Sequence, residues 1–135
     1  MIKVLIVDDN SFQLELIKES LSSDNRLLIY STTDSLLAYE FAFLINPDVI
    51  ILDVVMPRLD GIGLRKLLLS DEKTKNIPVI FLSGSKEDKK RGLDLGCYEY
   101  VLKPFNTEKM IDLIRNCRIS QIISDIRKDI ANIKF

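Results

Sequence analysis

The chain has 135 residues, 47% of them hydrophobic, and nineteen basic against twenty acidic side chains give a net charge of -1. That length fits one domain with a real core, and the even charge provides no global basic field to hold nucleic acid or an anionic membrane. There is no histidine, which removes His-based triads, three-histidine zinc sites and phosphohistidine carriers, and leaves carboxylates, hydroxyls and lysines to do any polar chemistry.

The apolar opening, residues 1–7, runs directly into Asp8-Asp9. It is too short for a signal-peptide core, and no later stretch approaches the roughly 18 apolar residues of a membrane span, so the expectation is a cytoplasmic protein without a membrane partner. Residues 4–7 form a first strand. Asn10 caps a first helix in a capping box with Gln13, and Leu14, Ile17 and Leu21 share one face. A second strand at 27–30 precedes a helix at 35–45 that Asn46-Pro47 stops. A third strand at 49–52 precedes a helix that follows Gly61 and carries Leu64, Leu67 and Leu68. A fourth strand at 79–82 leads to a helix from about Lys86 to Leu95, ended by Gly96. Its charged run at 86–91 reads as a solvated face. A fifth strand at 100–102 leads to a helix starting near Thr107. Cys97 and Cys117 lack metal-ligand spacing and read as reduced, partly buried thiols. Five alternations of strand and helix predict a parallel sheet with right-handed crossovers and helices on both faces.

In such a sheet all strands end at one edge, where ligands bind. The ends read Asp8-Asp9, Asp53, Ser83-Gly84 and Lys103-Pro104. Singly, each has a structural role as helix cap, turn former or loop; together they put three carboxylates, a hydroxyl and an ammonium at one edge. Two carboxylates about 4 Å apart repel by roughly 4 kcal/mol at an effective dielectric of 20, so the group calls for a cation. An all-oxygen set without an Asp-rich, Gly-containing calcium loop suits Mg²⁺, or Mn²⁺ in its place, better than Ca²⁺. With charge offset by the ion and Lys103, one carboxylate can attack phosphorus to give an acyl phosphate, Ser83 donating a hydrogen bond to the transferred group.

Several stretches together resemble the receiver domains of two-component response regulators, over residues 1–119. They are Val7-Asp8-Asp9, residues 47–53 with Met56-Pro57 and Asp60-Gly61, residues 78–83, and residues 96–100 leading to Lys103-Pro104-Phe105. The resemblance implies a flavodoxin-like (βα)5 doubly wound parallel sheet of strand order 2-1-3-4-5. It implies Asp53 as phosphoacceptor, and Asp8, Asp9, Asp53 and the backbone carbonyl of Val55 as Mg²⁺ ligands, Asp8 mainly through a metal-bound water. Lys103 would pair with the phosphoryl group through a cis Lys103-Pro104 loop. Ser83 would move inward to bond that group, and Tyr100 would be the switch aromatic that changes the surface of helix four, strand five and helix five. An edge-strand aromatic packed on a helix is the plainer reading of Tyr100. A sensor histidine kinase or phosphotransfer protein would supply the phosphoryl group, and a downstream protein or a further output domain would receive the signal. The domain would be no turnover enzyme. Cys97-Tyr98-Glu99 departs from the usual approach to strand five, and Val55 and Ser85 stand where the family tunes dephosphorylation.

Residues 120–135 extend the last helix without Gly or Pro. Asn116, Ile119, Ile123, Ile126, Ile130 and Ile133 fall at alternating a and d positions of a heptad frame, which suits a homodimer through residues 116–133, a connector to an output domain, or a helix folded back on its own domain. Among enzymes, a haloacid-dehalogenase-like Mg²⁺-dependent phosphohydrolase is the alternative, but it calls for an Asp where Val55 stands. A phosphorylation-independent degenerate receiver is another. A flavodoxin-like cofactor carrier is disfavoured because Asp8-Asp9 would repel a cofactor phosphate.

Overall fold

The computed structural model describes residues 1–133. Five strands, β1 (Ile2–Val7), β2 (Leu27–Thr32), β3 (Val49–Leu52), β4 (Val79–Ser83) and β5 (Glu99–Leu102), alternate with five helices, α1 (Ser11–Ser22), α2 (Ser35–Ile45), α3 (Gly61–Ser70), α4 (Lys89–Asp94) and α5 (Thr107–Ala131). The sheet is wholly parallel, in the expected order β2-β1-β3-β4-β5. All of β3 and β4 and the last four residues of β1 are buried, as strands covered on both faces must be, whereas the edge strands β2 and β5 are partly exposed.

Alternation along the strands divides the core in two. Leu5, Val7, Ile50, Leu52 and Phe81 face Ala38, Ala42, Leu64 and Leu68 of α2 and α3. Val4, Ile6, Val49, Ile51 and Leu82 face Leu14, Ile17 and Leu21 of α1 and Met110, Ile114 and Cys117 of α5. Among the described residues no helix is long and apolar enough to cross a membrane.

Four local expectations need correction. The fourth helix covers only Lys89–Asp94, because Asp88 does not cap it. The Asp88 carboxylate accepts instead from the Ser85 hydroxyl at 2.8 Å and from Arg91 at 2.9 Å. On α3, Leu64 and Leu68 are buried as expected but Leu67 is exposed, and the residue that turns inward is Arg65. The Asn10–Gln13 box is half made. Asn10 accepts from the Gln13 backbone N–H at 3.0 Å, while the Gln13 side chain leaves the cap for Lys103. Finally, α5 does not fold its isoleucine stripe back on the domain, since no described residue after Cys117 is buried.

Candidate functional site

The carboxyl ends of β1, β3, β4 and β5 border an open cleft of about 450 Å³, lined by Asp8, Asp9, Asp53, Val55, Ser83, Lys103 and neighbouring residues. The sheet delivers these side chains from distant points of the sequence through pairing. Asp53 donates its backbone N–H to the Val7 carbonyl at 3.0 Å, and Lys103 donates its own to the Ser83 carbonyl at 2.9 Å. Each functional residue therefore continues the ladder of its strand.

Asp8 (2% exposed) and Asp53 (8%) are buried, while Asp9 is open to solvent. One oxygen from each of the three carboxylates lies within 4.8 Å of the others. The Lys103 ammonium sits among them, 2.9 Å from Asp8 Oδ2, 3.4 Å from Asp53 Oδ2 and 2.7 Å from Gln13 Oε1. The other oxygens of Asp8 and Asp53 are tied to backbone. Asp8 Oδ1 accepts from the Asn10 N–H and Asp53 Oδ1 from the Val54 N–H. Burial pushes the Asp53 carboxyl above its ordinary value; the Lys103 charge pulls it down and the Asp8 charge adds to the rise.

One ammonium cannot neutralise three carboxylates, so the cleft keeps room for a further positive charge. Three hard oxygen donors converging from two strand ends suit a hard divalent cation, and the open side of the cleft leaves room for the waters that Mg²⁺ retains. The donor set fits the ion. Val55 borders the same cleft.

Gly61, at the start of α3, is fixed by close approach. A Cβ there would lie 2.0 Å from the Asp53 carbonyl oxygen, and the Gly61 N–H donates to the Val54 carbonyl at 2.8 Å. Only a residue without a side chain lets α3 start so close to the strand that carries Asp53.

Ser83 is buried at the end of β4, where its hydroxyl oxygen accepts from the Ser85 N–H at 3.2 Å. Tyr100 is also inside, its ring 5.8 Å from that of Phe81 and its hydroxyl donating to the Ser85 carbonyl. Burial raises the Tyr100 phenol, and the nearby Ser83 hydroxyl opposes the rise. The Lys103-Pro104 bond is cis.

Two residues escaped the sequence reading. Gln13 was assigned to a helix cap, yet its position one turn after Asp9 hangs its amide over the end of β1. Arg65 looked like one more polar residue of α3. It is 4% exposed and donates to the carbonyls of Leu95 (3.2 Å), Ile77 (3.3 Å) and Gly96 (3.1 Å), thereby fastening the α4–β5 turn to α3.

Comparison with known proteins agrees with this architecture. The chain is 31% identical over 125 residues to the probable transcriptional regulator ycf29 of Pyropia yezoensis, a match covering 91% of the chain and 56% of that protein. It is 32% identical over 117 residues to the DNA-binding dual master transcriptional regulator RpaA of Synechocystis, covering 85% of the chain and 48% of that protein. The chain thus spans about half the length of these relatives. Among solved structures, the receiver domain of the Francisella response regulator 1452 superimposes with a TM-score of 0.80 at 33% identity, covering 89% of this chain and 98% of that one. The chemotaxis protein CheY4 of Vibrio cholerae gives 0.78 at 28% identity, covering 87% and 98%. The family model for the response regulator receiver domain matches residues 4–115. The chain therefore belongs to the response regulator receiver domain family, the receiving module of two-component signal transduction.

Proposed function

We propose that Asp53 accepts a phosphoryl group, with Mg²⁺ held by Asp8, Asp9, Asp53 and the Val55 carbonyl, and that the resulting charge switches the α4–β5–α5 surface. The observation that carries this reading is the convergence of Lys103 on Asp8 and Asp53 beside a third carboxylate. Bound there, Mg²⁺ supplies positive charge against the acids and the phosphoryl oxygens.

In the transfer, an Asp53 carboxylate oxygen forms a bond to phosphorus while the bond from phosphorus to the donor nitrogen or oxygen breaks, the leaving group keeping that electron pair. Lys103, already held in the cleft by Asp8 and Gln13, meets the charge that spreads over the equatorial oxygens. Ser83 lines the same cleft as Asp53 and donates its hydroxyl to the transferred group, and movement of that hydroxyl away from the Ser85 N–H frees the loop to which Tyr100 is bonded. The outcome is a population shift toward the arrangement in which Ser83 and Lys103 both reach the phosphoryl group.

The donor is a sensor histidine kinase or a phosphotransfer protein working in the cytoplasm. Exposed Phe12 and Leu16 on α1, beside the apolar groove that Pro104 and Phe105 border next to Lys103, suit a protein donor docking over the cleft. Output passes to another protein or a further segment. The relatives are transcriptional regulators, one of them DNA-binding, whereas a net charge of -1 gives these 135 residues no basic field of their own.

Intact-mass measurement after incubation with a small phosphodonor and Mg²⁺ tests the assignment. The expected result is one phosphoryl increment on the wild type and none on Asp53→Asn; equal labelling of both would remove Asp53 from the mechanism.

A further inference from the structure

Beyond Cys117, α5 runs on to Ala131 with no buried residue. A solitary helical segment of about 12–15 residues is marginal in water even with good helix formers. This one also carries Ile119, Ile122, Ile123, Ile126, Ile130 and, just past the helix, Ile133, each between 40% and 56% exposed. At 100° per residue these isoleucines fall on one stripe about 100° wide, too contiguous for the scattered apolar residues of an ordinary surface.

The flanks of the stripe differ in charge. Arg127, at an e position, borders one side with Ser120, Ser124 and Ala131; Asp125 and Asp129, at c and g, border the other with Ile122 and with Arg118, whose charge is met by Asp48 at 3.6 Å. Two copies packed in parallel put the basic flank of one helix against the acidic flank of the other. Antiparallel packing instead faces like flanks with each other. At its upper end the stripe reaches Asn116, which also borders the groove of about 660 Å³ between β5 and α5, lined by Val101, Leu113 and Met110. A second copy seated on the stripe therefore lies beside that groove as well.

We propose that the isoleucine stripe of α5 is a self-association surface that takes the same stripe of a second copy of this chain, the two helices parallel. The driving force is burial of the stripe, and the asymmetric flanks set the direction. A single Asn at the first a position favours two strands over three.

Sedimentation equilibrium of the full chain, with no phosphodonor, is expected to give twice the 15.5 kDa chain mass at tens of micromolar and above. Ile123→Glu combined with Ile126→Glu is expected to return the mass to that of one chain with an unchanged far-UV spectrum, because both side chains are already exposed. Direction is read by oxidation of a cysteine placed in the stripe. Cys97 is half-buried, and Cys117 is buried with its thiol pushed up to about 12, so neither competes strongly. Ile119→Cys alone is expected to form a covalent dimer. A cross-link that appears only when Ile119→Cys is mixed with Ile133→Cys means antiparallel helices and overturns the proposal, as does a single-chain mass at every concentration. These outcomes are independent of whether Asp53 is phosphorylated.

Discussion

Asp53 is held between opposing electrostatic influences. Burial and the neighbouring Asp8 charge push its carboxyl upward, and Lys103 restrains the rise. A carboxyl raised in the folded state binds its proton more tightly there, so its contribution to stability is complete below the ordinary value of 3.8 and is lost as pH rises through the raised one. Metal-free Asp53→Asn should therefore be more stable than wild type at neutral pH, by about 1 kcal/mol, and the gap should close as pH falls toward 3.8. Thermal melts in chelator across that range measure this directly. Lys103 is the restraining influence. Lys103→Ala removes the one ammonium among three carboxylates, and phosphorylation from a small donor should slow about 100-fold, the scale of losing one donor to developing charge. Gln13→Leu leaves the ammonium in place but removes its neutral acceptor, and the same mass assay should show a slowing of less than about tenfold.

Two junctions between elements set where these residues can stand. The β3–α3 junction tolerates no side chain at position 61, so Gly61→Ala should cost about 2 kcal/mol in urea unfolding and lower the phosphorylation rate by displacing Asp53. The α4–β5 junction depends on Arg65, whose guanidinium serves three carbonyls with no carboxylate within ion-pairing distance among the described residues. Arg65→Leu keeps the bulk but leaves those carbonyls unpaired, and a loss of about 3 kcal/mol is expected in the same denaturation series. These junctions also mark the limit of sequence reading. Strands with uninterrupted Val, Ile and Leu, and a cap such as Asn10, were legible because burial and capping leave local patterns. The strand ends could be grouped at one edge because parallel topology admits no other arrangement. Arg65 was not legible, because its partners lie twelve and about thirty residues away and a lone arginine on a helix signals solvent. The shortened α4 was hidden for a related reason: Asp88 has the right identity for a cap but spends its carboxylate elsewhere.

For the whole molecule, the acidic edge behaves as an electrostatic reservoir that a divalent ion relieves. Mg²⁺ at a hundredfold excess over its Kd should raise unfolding free energy by about 2.7 kcal/mol, with little gain in a variant combining Asp9→Asn and Asp53→Asn; titration followed by thermal melting distinguishes these outcomes. From that edge, one path leads outward to the surface of β5 and α5, and it passes through the two peptide groups of Ser85. Its N–H is taken by the Ser83 hydroxyl and its carbonyl by the Tyr100 phenol. The linkage is made of main chain, so replacing the side chain of residue 85 leaves it intact. The hydroxyl of that side chain donates to the Glu87 and Asp88 carboxylates. In the switch proposed above, a substitution at position 85 would therefore leave this main-chain link standing, and an alanine scan would pass over it unnoticed.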